Sequence, residues 1–319
     1  MVSTIIPVHN RPNLVMEAVA SVLAQTYRPI ELIVVDDGST DETPMVLQRL
    51  GAQHPEVMRV ASHPASRGPG AARETGRRAA AGSYVQYLDS DDLLDPTKFE
   101  RQVAALETRP EWGLVIGDVA IRRVDGSQPS STIRSAPQLE SGFPALLADR
   151  PWETVAPLYR ASVLERAGPW LPLFNEEDWE YDGRIAAVGR GMGRVDGVVG
   201  IMRRRASDHL SGVGRRIRRS LASRAIARPL LLQHALRAGV TRESAEFQHA
   251  VRFLFLLARQ CGAAGLPRAS RRLFQHVAAW GLPIGRQDIA WYGRLGPVVG
   301  WRTLGVLSAT VDRLRGALR

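Results

Sequence analysis

Short, unbroken apolar runs alternate with longer stretches of helical period over the first hundred residues. Residues 3–8, Ser-Thr-Ile-Ile-Pro-Val, read as a buried strand. Residues 14–25 then repeat apolar side chains at Leu14, Val15, Ala18, Val19, Val22 and Leu23, one face of a helix. Residues 30–35 form a second apolar run too short for a helix, and residues 43–53 return to helical period. Residues 58–61 make a weak third strand, residues 71–81 a third helix, and Tyr84, Val85, Tyr87 and Leu88 a fourth strand. Unbroken apolar strands separated by helices predict a parallel α/β sheet with right-handed crossovers.

The pattern is looser afterwards. A helix is predicted over residues 98–107, opened by Pro96, then strands over 112–119 and 119–124 with a tight turn at Asp125-Gly126-Ser127. Residues 127–141 are rich in Ser and Pro and read as a loop. Helical period follows at 143–147, a short strand at 155–159, and a helix at 161–168 stopped by Gly168-Pro169. A helix over 183–188 and a strand over 194–202 complete this half. From about residue 220 the chain is helical, at 221–236, 244–261, 268–280 and 304–318. The expected organisation is an α/β domain over 1–215, with a first half to about 120 and a second from 121, followed by an all-helical region over 216–319.

Polar clusters fall where the strands end. His9-Asn10 follows the first strand, Asp36-Asp37-Gly38-Ser39 the second, and Asp89-Ser90-Asp91-Asp92 the fourth. Ligands of such sheets sit beyond the strand carboxyl ends, so three polar termini at one edge point to a site. Asp89 and Asp91, two residues apart, share a face if strand geometry persists. Neighbouring carboxylates repel and are costly to desolvate, a conflict that Mg²⁺ or Mn²⁺ removes. The alternative is an acidic helix start capped by Asp92 or Asp95. Asp36-Asp37-Gly38-Ser39 is either turn chemistry or a pair of acceptors for base and ribose. The loop Arg67-Gly68-Pro69-Gly70 lets backbone approach phosphate, with Arg73 adding charge.

The formal net charge is +10, carried almost wholly by arginine; Lys98 is the one lysine. This balance suits phosphorylated substrates, nucleic acid or an anionic membrane surface. Cys261, the single cysteine, excludes an intrachain disulfide, indicates a reducing compartment, and reads as a buried small hydrophobe. The first apolar run is too short for a signal peptide and no window reaches the length of a membrane span. The expected location is cytoplasmic, with peripheral contact at the inner membrane face through the basic C-terminal helices, where Trp291, Tyr292 and Trp301 suit an interface.

TIIPVHNRP, ELIVVDDGSTDET, RGPGAAR and YLDSDDLLDP, in that order and spacing, resemble the inverting family 2 glycosyltransferases of GT-A fold. The resemblance implies an α/β, Rossmann-like mixed sheet with flanking helices. It implies a metal-dependent transfer of sugar from a nucleotide-diphosphate donor, a UDP-sugar foremost, to a hydroxyl-bearing sugar or lipid-linked acceptor in polysaccharide, glycolipid or other glycoconjugate synthesis. Carried over residue by residue, Asp37 holds the nucleobase, with Pro7, His9 and Asn10 lining its pocket and Gly38, Arg73, Asp89 and Ser90 completing the donor site. Asp89 and Asp91 become the DXD pair for Mn²⁺ or Mg²⁺, Asp91 as direct ligand. Glu177-Asp178-Trp179 matches the acidic pair that precedes a helix, with Asp178 as general base and Glu177 as the fallback. Arg204 or His209 would face the diphosphate. The chain departs from the family at Arg67 and Glu74, where Asn is common.

Two other classes are weighed. A nucleotidyltransferase on a sugar phosphate would carry a Gly-rich basic loop after the first strand, where this chain has His9-Asn10-Arg11-Pro12. A non-enzymatic nucleic-acid-binding protein would cluster aromatics with arginines on one surface, whereas carboxylates gather at the strand ends; no nucleic-acid partner is expected. The absence of G-x-G-x-x-G after the first strand argues against a dehydrogenase.

Overall fold

The computed structural model describes residues 1–123, 131–189, 191–204, 215–281 and 287–317. The chain forms two compact units. The first comprises Met1–Gly142, Arg150–Leu173 and Val188–His209; the second comprises Phe143–Asp149, Phe174–Ala187 and Leu210–Arg319.

The first unit runs β1 (Val2–Val8), α1 (Pro12–Leu23), β2 (Ile30–Asp36), α2 (Thr43–Gln53), β3 (Met58–Ser62), α3 (Pro69–Ala79), β4 (Tyr84–Tyr87), β5 (Leu93–Leu94), α4 (Lys98–Thr108), β6 (Trp112–Arg123), β7 (Ser131–Arg134), β8 (Leu158–Arg160) and α5 (Ala161–Ala167). Its last strand is β9 (Gly191–Arg204), which follows α6 (Glu177–Ala187) of the second unit. The sheet order is β3-β2-β1-β4-β8-β6-β9-β5, with β7 paired to β6. β3, β2, β1 and β4 are mutually parallel, as their apolar character predicts; β8 runs antiparallel to β4 and β6, and β9 parallel to β6. Every residue of β1 and β2 is buried, which is why these runs lack alternation.

The helix predicted over 98–107 is α4, and a two-residue strand, Leu93–Leu94, pairs with β9 ahead of it. The loop predicted over 127–141 contains β7. The strands predicted at 112–119 and 119–124 are one twelve-residue strand, bent by register shifts against β9. The Asp125-Gly126-Ser127 turn lies outside the described residues.

At the amino ends of the strands, Glu31 is an interior anion. Its carboxylate accepts from the Ser3 hydroxyl, from the Ala81 N–H at 2.6 Å and Gly82 N–H at 3.1 Å, and from Arg59. Burial alone would raise its pKa, but these donors hold it below the usual value. Fully buried Lys98 is satisfied by neutral oxygens, donating to Gln102 Oε1 at 2.6 Å and to the Ala156 carbonyl at 2.8 Å, and burial pushes its pKa well down.

The second unit holds α6, α7 (Arg215–Arg237), α8 (Ala245–Ala263), α9 (Pro267–Trp280), α10 (Gln287–Val299) and α11 (Trp301–Ala317), with a 3₁₀ turn at Ala145–Leu147. α10 is an element that the sequence pattern does not announce, because apolar residues occur on all its faces. Cys261 is buried in α8 and its thiol is raised to about 11 by desolvation. α8 and α11 meet backbone to backbone. A Cβ on Gly305 would stand 2.4 Å from the Ala263 nitrogen, and one on Gly262 2.5 Å from the Trp301 carbonyl oxygen.

Two stability outcomes follow. Gly305→Val should cost about 1–3 kcal/mol by forcing α11 off α8, read as a lowered midpoint in urea; an unchanged midpoint contradicts the close approach. Because the pKa of Glu31 is lower in the folded chain, its stabilisation is complete above the unfolded-state value and is lost as pH falls through the folded-state value. Glu31→Gln should therefore cost about 1–2 kcal/mol near neutral pH, and the gap to wild type should close in acid. A gap independent of pH contradicts the charged role.

Candidate active site

The carboxyl ends of β1, β2, β3 and β4 lie along one edge of the first unit. Val8 pairs with Asp36, Asp36 with Ser62 and Ile5 with Tyr87. The ladder continues past the strands: Asp37 N–H donates to the Val8 carbonyl at 2.8 Å, His63 N–H to the Asp36 carbonyl at 2.8 Å and Leu88 N–H to the Ile5 carbonyl at 3.0 Å. His9-Asn10, Asp36 to Ser39 and the Asp89 turn thus emerge together.

The loop after β1 is fixed on the loop after β2. His9 Nδ1 donates to the Asp37 carbonyl at 2.9 Å, leaving Nε2 to accept from Asn10 Nδ2 at 3.3 Å. Asn10 adopts φ 53°, a left-handed conformation that Asn tolerates. Its N–H donates to Ser39 Oγ at 2.9 Å and its Oδ1 accepts from Thr40 N–H at 2.8 Å. Pro7 sits in β1 opposite Val35. Gly38 has φ 70°, and a Cβ there would lie 2.6 Å from the Ala65 backbone, so a side chain is excluded.

Asp37 is the hub of this edge. Its carboxylate accepts from His63 Nδ1 at 2.7 Å, Ser66 Oγ at 2.8 Å, Arg67 N–H at 2.9 Å and Gly68 N–H at 2.8 Å. Burial raises its pKa, and these donors together more than reverse that, holding it below the usual carboxylate value. Asp37 shapes the loop that opens α3. Sequence reasoning missed His63, a single histidine in a weak strand with no spacing signal.

The Asp89 turn is a different environment. Asp92 N–H donates to the Asp89 carbonyl at 3.0 Å, closing it. Arg73, from α3, donates to Asp89 Oδ1 at 2.6 Å and lies 4.9 Å over the Trp170 ring. Arg11, at the start of α1, stands 2.5 Å from Asp91 Oδ2. Arg203, from the end of β9, donates its backbone N–H to Asp92 Oδ1 at 3.0 Å, its Nε to the Asp91 carbonyl and its Nη1 to Glu17. Nη2 of Arg203 is buried with no protein acceptor. Ser90 and Asp92 are buried. Burial, then Asp89, raises the pKa of Asp91, with Arg11 opposing; burial, then Asp89 and Asp91, raises that of Asp92 well above normal. Asp92 is therefore no helix cap. Nor is Asp95: it accepts the Thr97 N–H at 3.0 Å in a turn ahead of α4, whose N-cap position, Thr97, makes no side-chain capping bond.

These residues can take a hard cation only in part. Among the described residues no three His, Cys, Asp or Glu side chains converge on one point. Asp89 and Asp91 supply a pair of carboxylates, a donor set that suits Mg²⁺ or Mn²⁺ with water and phosphate oxygens completing the shell. Burial first, and the neighbouring Asp89 second, disfavour the charged form of Asp91.

Arg204 points elsewhere. Its guanidinium lies 4.0 Å from Glu153, while Arg203, one residue earlier and so on the opposite strand face, reaches the aspartates. His209 lies outside the described residues.

The second unit presents the other acidic cluster, at the start of α6. Glu176 receives Arg228 at 2.7 and 2.9 Å, and Arg224 at 3.0 Å. Glu180 receives Arg184 at 2.7 Å and His234 at 3.0 Å. Both are structural, as expected of acids in a first helical turn. Glu177 is buried, whereas Asp178 is half-exposed and accepts the Trp179 N–H at 2.7 Å. Of the pair, Asp178 is the more exposed.

Residues 3–154 match the glycosyl transferase family 2 model. An uncharacterized glycosyltransferase of Nostoc sp. is 33% identical over 179 residues, 54% of this chain and 54% of the relative. The chain spans only 17–54% of the length of the first curated relatives it matches. Among solved structures, residues 1–349 of S. aureus TarS with UDP-GlcNAc superpose with TM-score 0.55 at 16% identity, covering 92% of each chain. The mannosyltransferase PcManGT of Pyrobaculum calidifontis with GDP-Man and Mn²⁺ gives 0.52 at 20% identity, covering 98% of this chain and 86% of that one. At such identities the likeness is one of fold.

A divalent cation bound at Asp91 would have to compete with Arg11 for its carboxylate. Arg11→Gln should tighten Mn²⁺ binding about fivefold, measured as loss of the free-ion electron paramagnetic resonance signal. Unchanged or weaker binding contradicts a cation site at Asp91.

Proposed function

We propose, for a chain whose residues 3–154 form a glycosyl transferase family 2 domain, that the carboxyl edge of its sheet binds a nucleotide-diphosphate sugar and transfers the sugar, with inversion, to a hydroxyl acceptor. The observation that carries this reading is the meeting of Arg11, Arg73 and Arg203, from separate elements, at the Asp89–Asp92 turn, beside the loops of His9, Asn10 and Asp37. Such an edge accepts a diphosphate and a base together. Asp37 and the loop it holds receive the nucleobase, and Pro7, His9, Asn10, Gly38 and Ser90 line the site. Arg73 and Arg203 face the diphosphate; Nη2 of Arg203 has a donor to spare. TarS was solved with UDP-GlcNAc and PcManGT with GDP-Man and Mn²⁺, which supports a sugar-nucleotide donor, UDP-linked in the first instance, and Mn²⁺ or Mg²⁺ at Asp89 and Asp91. When bound, the ion supplies Lewis-acid stabilisation of the departing diphosphate.

Transfer needs one proton moved and two bonds exchanged. Asp178 takes the acceptor hydroxyl proton. The hydroxyl oxygen bonds to the anomeric carbon as the bond from that carbon to the diphosphate oxygen breaks, and the nucleoside diphosphate leaves with the electron pair. The acceptor is a sugar or lipid-linked hydroxyl of polysaccharide, glycolipid or other glycoconjugate synthesis, met on the cytoplasmic side of the envelope. Among the described residues no helix is long and apolar enough to cross a membrane.

Asp178→Asn should lower transfer by roughly 10²–10⁴-fold and leave donor affinity within about threefold by calorimetry. Loss of donor binding in that variant, or transfer at the wild-type rate, contradicts the assignment of the base.

A further inference from the structure

The C-terminal helices leave an apolar surface exposed among the described residues. α10 is apolar on two sides. Its inner side, Tyr292, Gly293 and Gly296, packs on an aromatic cluster: Tyr292 lies 5.3 Å from Phe255 and 5.8 Å from Trp301 between ring centroids. The two glycines are close-packed, with a Cβ on either meeting Phe274 or Trp301 at 2.8 Å. The outer side carries Trp291, Leu295 and Val298, spaced at i, i+4 and i+7 and so on one face. Trp291 is 58% and Val298 80% exposed. Val306 and Leu307 of α11 are exposed as well. A helix apolar all round belongs in an interior or against lipid, and α10 has only half an interior.

The charge around this face selects its partner. Arg294 and Arg302 are both exposed, and past Asp288, in the first turn of α10, the chain has no Asp or Glu up to Val311. Arginine outnumbers carboxylate over this stretch, and a second copy would double that imbalance rather than neutralise it. An anionic headgroup layer supplies that neutralisation, and the acyl boundary beneath it receives Trp291, Leu295 and Val298. We infer that the outer face of α10 and the start of α11 form a monotopic docking surface for an anionic lipid bilayer. The helices lie on the membrane, with the apolar side chains in the headgroup–acyl boundary and the two arginines among the phosphates. This goes beyond the transfer reading and does not rest on it.

The test uses the full chain with extruded vesicles of phosphatidylcholine alone or mixed with phosphatidylglycerol, read by co-sedimentation, and light scattering of the free protein. Wild type should sediment with the mixed vesicles and not with phosphatidylcholine alone. Val298→Asp should weaken that binding at least about tenfold with an unchanged melting temperature, since the side chain is exposed. Arg294→Gln and Arg302→Gln should each weaken it about fivefold. Donor binding, measured on the same samples, should be the same in all three variants, so failure here is distinct from failure of the transfer reading. The inference is overturned if wild type ignores anionic vesicles. It is overturned equally if Val298→Asp binds them like wild type. A wild-type dimer that Val298→Asp dissolves would make the face a contact between copies instead.

Discussion

Three carboxylates within four residues, at the mouth of a buried sheet, can be held together only if cations come to them. Asp89 and Asp91 are met by the guanidinium groups of Arg73, from α3, and Arg11, at the start of α1, and Asp92 by the backbone N–H of Arg203, from β9, whose guanidinium bonds the Asp91 carbonyl and Glu17. The turn is therefore a junction of three elements distant in sequence, tied by charge-assisted bonds. The balance is incomplete. Asp91 and Asp92 keep raised pKa values because burial and mutual repulsion outweigh their arginines. If this edge binds a nucleotide-diphosphate sugar, as we propose, a divalent cation would relieve the carboxylates and the diphosphate would take over the arginines, so that each ligand would favour the other.

Asp37 obeys the opposite logic. It too is a buried carboxylate at a strand end, yet it collects hydrogen bonds from His63, Ser66, Arg67 and Gly68 and is held below its ordinary pKa. It is a fixed anion that shapes a loop. The His9-Asn10-Arg11 segment links the two environments, since His9 bonds to Asp37 and Arg11 to Asp91. Neighbouring carboxylates on one sheet edge are thus separated into a scaffold and a responsive pair by what surrounds them.

Much of this was legible in the amino acids. Unbroken apolar strands announce burial on both faces, and the parallel half of the sheet follows the predicted strands to within a residue or two. The polar clusters after the strands, which turn chemistry or a helix start could also explain, lie along one edge of the sheet. Of the arginines that meet them, Arg73 was legible and the other two were not. Arg11 belongs to a turn and Arg203 to a run of three arginines in which alternation along β9, invisible without the register, decides which one faces the aspartates. His63 escaped notice because its role is fixed by Asp37, distant in sequence. α10 escaped because a helix apolar on both sides has no periodic signature.

The mutual support of cation and diphosphate is tested most directly by titrating wild-type protein calorimetrically with UDP in the presence and absence of Mn²⁺, and repeating both titrations with Asp91→Asn. The account predicts that Mn²⁺ tightens UDP binding by at least about tenfold, or 1.4 kcal/mol, in wild type, and that the effect disappears in the variant. UDP binding of equal strength with and without Mn²⁺, or a manganese effect that survives Asp91→Asn, would contradict it.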